Sequence, residues 1–380
     1  MVTRTQQLQG IMTAVALSGL AVFAPVALAQ DKVEIRDSAQ VQEIRRIASQ
    51  MQPFTVRAVG LPTGASEWAF LEKPFWTDVI KELSGGKVTT QLNSMSELNL
   101  QGPEVFRLTA QGTFDVADIV ANYGAGDLPQ LDAMDLAGVA STTAEQKKVL
   151  ESYAPIYRKA LKDRFNIVSL GEAHSTAQVF FCKGEVKGIG DLRGKKVRLT
   201  SSTLADLVSG LGGTPVTMTF AEAVPALQRG VIDCVITGTM SGNTGKLYEV
   251  TNTLFAMPVG WAPRVRIASG RFMDRLDATQ REFMTKISEW YFGEFGEPVE
   301  LRNNNEGIWC SVGDARCTLD GKFGVRKASM TLTEMSAEDK ATLKQVVERN
   351  VLPNFVKACG ATCASEWNAT VGQTMSLTAR

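Results

Sequence analysis

A run of alternating strand-like and helix-like segments between Lys195 and Thr237 constrains the fold more than any other feature of this sequence. Three segments have strand character, and two between them have apolar residues at helical spacing: KKVRLT (195–200), TLADLVSGL (203–211), PVTMT (215–219), AEAVPALQR (221–229) and VIDCVIT (231–237). Thr219 and Glu222 form a T-x-x-E capping box that begins the second helix, and Gly230 ends it. A βαβαβ run requires right-handed crossovers, so we predict an α/β fold with a parallel sheet.

A similar unit occurs earlier in the chain. The segment PEVFRLTAQ (103–111) precedes Gly112 and Asp115, just as 221–229 precedes Gly230 and Asp233. The spacing from glycine to aspartate is three residues in both. The chain length of 380 also exceeds what one hydrophobic core usually supports. We therefore expect two lobes, each with its own central sheet.

The N-terminal 29 residues resemble a cleaved secretory signal. Arg4 precedes an apolar stretch from Ile11 to Ala24, and Ala27-Leu28-Ala29 offers small residues at the two positions that a signal peptidase reads. A membrane anchor is the alternative, but the apolar run is shorter than the roughly 20 residues of a spanning helix. We expect residues 1–29 to be removed and the mature protein to be periplasmic.

Charge and composition exclude several functions. Forty Lys and Arg face 40 Asp and Glu, a balance that argues against nucleic-acid or anionic-membrane partners. His174 is the only histidine, so His-rich metal sites are excluded, and no GxSxG segment supplies a nucleophile. The glycine clusters at 124–127 and 210–213 lack the spacing of nucleotide-binding loops. We expect no catalytic residues, no metal and no cofactor.

Six cysteines in an exported chain indicate disulfide bonds. Cys310 with Cys317 and Cys359 with Cys363 are the simplest local pairs. The remaining two, Cys182 and Cys234, lie on strand-like segments that could be neighbours in one sheet. Six cysteines leave fifteen pairings formally open, and the spacing of a zinc site is absent.

Arg198 is the residue whose position most strongly suggests ligand binding. It lies on a predicted strand, and Ser201 follows where the next helix begins. A guanidinium group matches a carboxylate with two parallel hydrogen bonds, and a helix start adds further donors. Thr237 and Thr239 follow a neighbouring strand, at the edge where parallel sheets bind ligands. An arginine paired with a structural carboxylate is the alternative that spacing leaves open.

Several longer segments resemble one family. DLRGKKVR (191–198), LGGTPVTMTFAEAVPALQRGVID (211–233) and KLYEVT (246–251), together with KPFWTDVIKELSGGKV (73–88) and ELNLQGPEVFRLTAQGTFDVADI (97–119), are similar to segments of the DctP-type extracytoplasmic solute receptors of TRAP transporters. The resemblance runs from about Pro53 to Leu276 and implies a receptor that delivers a small organic carboxylate to a small and a large membrane subunit.

The resemblance also implies a domain organisation. We expect two α/β lobes joined by crossing strands near His174 and Pro263 and by a long helix, in a monomer that closes over its ligand. Lobe I would comprise residues 30–175 and 263–302. Lobe II would comprise 176–262 and 303–380, including the cysteine-containing C-terminal part.

Site residues follow from the same resemblance, with departures. Arg198 falls on the carboxylate-clamping arginine of the family. Thr237 stands where an asparagine often contacts ligand, because the common DGQENP is here DCVITG, and Gln178 stands where sialic-acid-type members have a second arginine. The loss of that charge argues against dicarboxylates and sialic acid. The cysteine-containing C-terminus is not general to the family.

Aromatic residues are weaker candidates for the pocket. Trp261, and Trp68 with Phe70, could contact a ligand, as could Asn122 with Tyr123 at the end of the first-lobe strand, although such residues usually lie in the core. The apolar stripe of the segment 278–292 is assigned to the core. We expect this helix to end at Gly293, an irregular segment to follow over 302–317, and a last helix to be capped by Ser336 and Asp339.

Two other functions compete with transport. A periplasmic enzyme on a related two-lobed scaffold would need catalytic groups in the cleft, which a single histidine leaves to carboxylates. A sensor subunit would bind a solute and present it to a signalling receptor. Adjacent genes for membrane subunits would distinguish the transport receptor from the sensor.

Overall fold

Two mixed β-sheets organise the chain in a computed structural model that describes residues 35–380. The predicted signal peptide lies outside the described residues. The strands are β1 (Phe54–Gly60), β2 (Val88–Ser94), β3 (Val116–Val120), β4 (Ile167–Ala173), β5 (Gln178–Cys182), β6 (Lys196–Leu199), β7 (Thr214–Thr217), β8 (Cys234–Gly238), β9 (Thr253–Gly260), β10 (Arg264–Ser269) and β11 (Thr331–Glu334). Sheet I has the order β2-β1-β3-β10-β4, and sheet II has the order β11-β9-β5-β8-β6-β7.

Helices cover both sheets. They are α1 (Ala39–Gln50), α2 (Ile80–Leu83), α3 (Gly102–Ala110), α4 (Thr143–Phe165), α5 (Ser202–Gly210), α6 (Phe220–Gln228), α7 (Thr239–Thr244), α8 (Gly270–Arg275), α9 (Ala278–Trp290), α10 (Gly296–Val312), α11 (Ala337–Val346), α12 (Leu352–Cys359), α13 (Ala361–Trp367) and α14 (Gln373–Met375). None of the helices between residues 35 and 380 combines the length and hydrophobicity of a membrane span. The α/β class predicted from the sequence is confirmed.

The predicted βαβαβ run is also confirmed. It forms β6-α5-β7-α6-β8, in which β6 pairs in parallel with both β7 and β8. The Thr219–Glu222 capping box begins α6, and Gly230 adopts a φ of 69° just beyond its end. That left-handed conformation explains the glycine, because other residues adopt it at a steric cost.

The repeated glycine-to-aspartate unit marks equivalent places in the two sheets. Asp115 exchanges two backbone hydrogen bonds with Arg57 on β1 through its N–H and its carboxylate, and Asp233 does the same with Lys196 on β6. The order β2-β1-β3-β10-β4 in sheet I matches β7-β6-β8-β5-β9 in sheet II. In each sheet three parallel strands are followed by one antiparallel strand, β10 or β5, and then by a strand that runs parallel to the first three, β4 or β9; sheet II adds β11 alongside β9.

Two of the three connections between the sheets lie side by side as adjacent crossings; the third runs from β10 through α8, α9 and α10 to β11. One connects β4 to β5 and contains His174 and Ser175; the other connects β9 to β10 and contains Trp261 and Ala262. The Ser175 N–H donates to the Trp261 carbonyl oxygen at 2.9 Å, and the His174 and Trp261 rings meet edge to face. These crossings lie where the sequence predicts them. Residues 35–380 form one compact unit and do not divide into two by their contacts, so the exact lobe boundaries stay a prediction.

The long connecting helix differs from the prediction at its end. Gly293 does not terminate it: α9 continues through a π-helical turn, Tyr291–Phe295, into α10. The polar segment RNNNEG, predicted to be irregular, lies inside α10 because tertiary contacts satisfy it. Asn304 accepts the Ala177 N–H at 2.8 Å, and Gly307 lets α10 approach the backbone of α7 where a Cβ would collide. The irregular segment begins only after Val312.

All three predicted cysteine pairs form disulfide bonds in the structure: Cys182–Cys234, Cys310–Cys317 and Cys359–Cys363. Cys182 and Cys234 are directly opposite each other on β5 and β8. The predicted Ser336–Asp339 capping box begins α11. Helix α12 packs on α5 behind sheet II, while α14 packs on α4 behind sheet I. The C-terminal helices therefore contact both halves of the molecule.

Candidate functional site between the two sheets

Arg198 projects from β6 as a buried cation, with 3% of its surface exposed. Its Nε donates to the Met218 carbonyl oxygen at 3.0 Å and its Nη1 to the Ile236 carbonyl oxygen at 3.3 Å, and the guanidinium group lies 5.6 Å from the centroid of the Phe220 ring. Nη2 makes no hydrogen bond to any described residue. The side chain is therefore held in place by backbone carbonyls and an aromatic ring.

Three arginines are buried in the described part of the chain, and Arg198 differs from the other two. Arg264 pairs with Glu300 and Arg266 with Asp118, each at 2.7 Å, whereas no carboxylate of residues 35–380 forms an ion pair with Arg198. Burial lowers the pKa of Arg198 to about 10, although Tyr123 and Glu222 oppose the shift. The alternative of an arginine paired with a structural carboxylate receives no support from this geometry.

A small cavity lies at the carboxyl ends of β3 and β6, between the two sheets. It contains three of the residues singled out from the sequence, Asn122, Gln178 and Ser201. The full lining is Val120, Ala121, Asn122, Leu131, Asp132, Asp135, Gln178, Thr200, Ser201, Leu204, Ala262 and Pro263. Ser201 also caps α5 by accepting the Leu204 N–H at 3.2 Å. The location is the one that α/β sheets use for ligands.

Two acidic residues of this cavity were not anticipated from the sequence. Asp132 Oδ2 accepts from Ser202 Oγ at 2.7 Å, and burial raises its pKa to about 6. Asp135 Oδ2 accepts from the N–H groups of Trp261 and Ala262 at 2.8 and 2.9 Å, and burial raises its pKa to about 7. Both lie at or beside a 3-10 turn, where no hydrophobic periodicity signals burial. The cavity wall thus carries two carboxyl groups that lack a cationic partner.

Arg198 and the remaining predicted residues lie outside the cavity lining. Thr237 lies on β8, 6% exposed, opposite Val179 of β5. Thr239 is fully buried and its Oγ1 donates to the Asn304 carbonyl oxygen at 2.9 Å, which ties α7 to α10. These two threonines lie at the same end of sheet II as Gln178 and Ser201, and their contact with a ligand stays a prediction.

The tryptophans and Phe70 lie in buried positions. Trp261 is 2% exposed and its Nε1 donates to the Ala140 carbonyl oxygen at 3.0 Å, so it supports the crossing. Trp68, 7% exposed, covers Gly60 at the end of β1, where a Cβ would lie 2.7 Å from its ring. Phe70 packs against Phe323 with ring centroids 4.5 Å apart.

Burial shifts the pKa values of two further side chains between the sheets, Tyr123 and His174. Burial raises the pKa of Tyr123 to about 12, and the nearby Arg198 charge partly offsets this shift. Burial lowers the pKa of His174, whose Nδ1 lies 2.9 Å from the Ser175 carbonyl oxygen. Both residues are therefore neutral near pH 7. The contacts of His174 are with the Ser175 carbonyl oxygen and the Trp261 ring, so it packs within the two adjacent crossings.

One group of potential metal ligands occurs among residues 35–380. The ligand atoms of Glu306, Cys310 and Cys317 lie within 4.8 Å of one another. The two sulfur atoms form a disulfide bond, and Glu306 accepts from the Thr318 N–H at 2.9 Å. These groups anchor the loop after α10 and are unavailable to a metal while the disulfide is intact.

Two α/β halves with a buried arginine and a cavity between them define the class of two-lobed solute-binding proteins. The sequence profile of the bacterial extracellular solute-binding proteins, family 7 (DctP), matches residues 64–294. The match covers more than half of the chain, and the chain belongs to this family. Members are solute-binding receptors, so the expectation of a binding protein without enzymatic activity is confirmed.

Curated relatives match part of the chain. The uncharacterized protein YiiZ of Salmonella typhimurium is 28% identical over 159 residues, which are 40% of this chain and 48% of that protein. The ectoine-binding periplasmic protein TeaA of Halomonas elongata is 25% identical over 163 residues, 43% of this chain and 46% of that protein. The chain thus spans just under half the length of the curated relatives it matches.

Solved structures share the fold over most of both chains. An extracytoplasmic solute receptor of Bordetella pertussis that binds pyroglutamic acid superposes with a TM-score of 0.71 at 18% identity, over 85% of this chain and 99% of that one. A TRAP solute-binding protein of Desulfovibrio salexigens with bound orotic acid superposes with a TM-score of 0.71 at 16% identity, over 85% of this chain and 99% of that one. A sugar-acid-binding protein of Advenella mimigardefordensis in complex with galactonate superposes with a TM-score of 0.72 at 16% identity, over 85% of this chain and 99% of that one.

Proposed function

We propose that this protein is the extracytoplasmic receptor of a TRAP transporter and that it binds a small organic carboxylate between its two lobes. The observation that carries the proposal is Arg198, a buried guanidinium group without an ion-pair partner among residues 35–380. A ligand carboxylate at Nη2 would supply the missing negative charge. An arginine fork favours a carboxylate over a neutral group because it offers parallel charge-assisted hydrogen bonds.

The comparisons support this ligand class. Pyroglutamic acid, orotic acid and galactonate, the ligands named for the three structural neighbours, each carry a carboxylic acid group. These proteins share the fold at low identity, so they do not single out one ligand for this chain. The cavity at β3 and β6 would receive the rest of the molecule, with Asn122, Gln178 and Ser201 as its polar contacts.

Family membership supports the remaining parts of the proposal. The receptor would leave the cytoplasm with its N-terminal 29 residues as a signal peptide, act in the periplasm as a monomer, and deliver its ligand to small and large TRAP membrane subunits. Residues 30–175 with 263–302 would form lobe I, and 176–262 with 303–380 lobe II. The adjacent crossings near His174 and Pro263 would serve as the hinge.

Calorimetric titration tests the carboxylate assignment. Wild-type protein, Arg198→Ala, Arg198→Lys and the exposed-arginine control Arg229→Ala would be titrated with pyroglutamate, orotate and galactonate, and with the corresponding amides. We expect Arg198→Ala to weaken acid binding by about 2–5 kcal/mol, since the anion would be buried without its partner. Lysine should restore only part of this loss because it lacks the fork geometry. Equal binding of acid and amide to the wild type would refute the proposal.

A further inference from the structure

Three acceptor oxygens of the cavity at the ends of β3 and β6 receive no hydrogen bond from residues 35–380, namely Asn122 Oδ1, Asp132 Oδ1 and Asp135 Oδ1, and they bear on the chemistry of the ligand. We infer that the ligand is a monocarboxylate that also carries O–H or N–H donors, and that Asn122 and Asp132 receive them. The inference rests on the proposed function, because it assigns the second end of a ligand whose carboxylate is bound by Arg198.

Asn122 provides the first free acceptor. It follows β3 directly, and its side chain lines the cavity. Its Oδ1 is shielded from solvent and makes no hydrogen bond to any residue in the range 35–380. A buried acceptor without a donor is unfavourable, and a water molecule or a ligand group can supply the missing hydrogen bond at a cavity wall. A ligand hydroxyl or N–H group at this position would supply it.

Asp132 and Asp135 provide further acceptors in the same cavity. Asp132 uses Oδ2 to accept from Ser202, and Asp135 uses Oδ2 to accept from two backbone N–H groups. The Oδ1 atom of each makes no hydrogen bond within the described chain. Burial raises the pKa of both carboxyl groups, to about 6 and about 7, because their protein donors do not offset the loss of water.

The cavity also offers donors that can orient a ligand carboxylate or carbonyl. Gln178 Nε2 has one long contact, 3.4 Å from the Thr176 carbonyl oxygen, and Ser201 Oγ accepts from a backbone N–H group, which leaves its own hydrogen free to donate. Carboxylates accept hydrogen bonds and cannot donate them when ionised. A second carboxylate on the ligand would therefore meet the negative charge of Asp132 at neutral pH, whereas a hydroxyl or N–H group would be matched.

Matched pairs of acids test the inference. Pyroglutamate would be compared with cyclopentanecarboxylate, and galactonate with hexanoate, by calorimetric titration of the wild type. We expect at least one pair in which the donor-bearing acid binds more than about tenfold more tightly, because a site built around hydrogen bonds discriminates against ligands that lack them. Asn122→Ala should remove most of this ratio and leave the binding of the donor-free acid unchanged. Asn93→Ala, the same substitution on the exposed face of β2, is the control.

Asp132→Asn gives a second readout that a purely structural role would not produce. It preserves the shape of the side chain and removes its charge, so glutarate, a dicarboxylate, should gain affinity relative to the donor-bearing monocarboxylates. Equal binding within both acid pairs, with discrimination between acid and amide intact, would overturn the inference and leave the proposed function standing. Equal binding of acids and amides, or no response to Arg198→Ala, would instead refute the proposed function itself.

Discussion

Ser202 Oγ donates a hydrogen bond to Asp132 Oδ2 across the space between the two sheets, at 2.7 Å. Ser202 is the first residue of α5, behind sheet II, and Asp132 lies in the 3-10 turn Pro129–Met134 that follows sheet I. Other polar contacts join the halves at Ser66, whose N–H lies 3.3 Å from Ser241 Oγ, and at Asp135, which accepts from the Trp261 and Ala262 N–H groups. The bond between Ser202 and Asp132 is therefore one of several polar contacts that hold this arrangement of the halves.

Ser202→Ala should open the ligand-free protein. The bond to a carboxylate contributes about 1.5–3 kcal/mol, enough to change an open–closed equilibrium about tenfold or more. Small-angle scattering should show a larger radius of gyration for the ligand-free variant, and saturating ligand should reduce it toward the value of the wild type. Ser209→Ala, on the exposed side of the same helix, should leave the radius unchanged. Identical radii for all three proteins with and without ligand would count against closure.

Arg198 and Arg266 should differ in their effect on folding, although both are buried. Arg266→Met leaves Asp118 buried without its partner and should lower the free energy of unfolding by about 3–5 kcal/mol. Arg198→Met removes a buried cation that no carboxylate of the described chain compensates. The variant loses the hydrogen bonds of the guanidinium group but also the cost of burying its charge, so the two effects offset each other. We expect the free energy of unfolding to change by no more than about 1 kcal/mol. Urea unfolding of ligand-free protein measures both, and a large loss for Arg198→Met would indicate a structural role.

Stability should depend on pH through Asp135. Burial raises its pKa from 3.8 to about 7, so the folded protein binds this proton more tightly than the unfolded chain. The contribution is complete below about pH 4 and is lost as the pH rises through about 7. Asp135→Asn should remove it, so the variant loses less stability than the wild type between those values. The difference in unfolding free energy between the wild type and Asp135→Asn should change by at most about 1.4 kcal/mol per pH unit. A difference that does not vary with pH would contradict the raised pKa of Asp135.

Two glycines of the long helix should respond oppositely to alanine. A Cβ at Gly307 would collide with the backbone of Thr239 and Met240, so Gly307→Ala must push α10 away from α7. No other atom lies within 4 Å of a Cβ at Gly293, so Gly293→Ala should gain up to about 1 kcal/mol from reduced freedom of the unfolded chain. Thermal unfolding of the two variants gives the comparison. Similar melting temperatures for both would show that the helices can separate at little cost.

Local signals account for what the sequence predicts well. The Thr219–Glu222 capping box, the glycine-to-aspartate unit and the cysteine spacings each involve residues close in sequence, and the structure confirms them. The strand that carries Arg198 and the helix that follows it are likewise recognisable without tertiary information, while the role of Arg198 in binding stays a prediction. The continuation of α9 into α10 was missed because it depends on a partner far away in sequence, the backbone of α7.

The acidic side of the cavity could not be predicted for a related reason. Asp132 lies in a 3-10 turn and Asp135 directly after it, and their partners are distant in sequence: Ser202 of α5 for Asp132, and the Trp261 and Ala262 N–H groups for Asp135. Nothing in the local pattern distinguishes them from surface aspartates. Trp261 shows the converse, since its aromatic character suggested a ligand contact while its Nε1 bonds to the Ala140 carbonyl oxygen in the interior.

The hydrogen bond between the two crossings restricts how the halves can move. Ser175 and Trp261 connect the crossings at 2.9 Å, so rotation of the backbone at one crossing alone would break their hydrogen bond. Bending of both crossings about the line that joins them keeps this bond, whereas independent sliding or twisting does not. We therefore expect such bending to cost less than other motions of the halves, in concert with adjustments of α9, α10 and the C-terminal helices, which also join the halves.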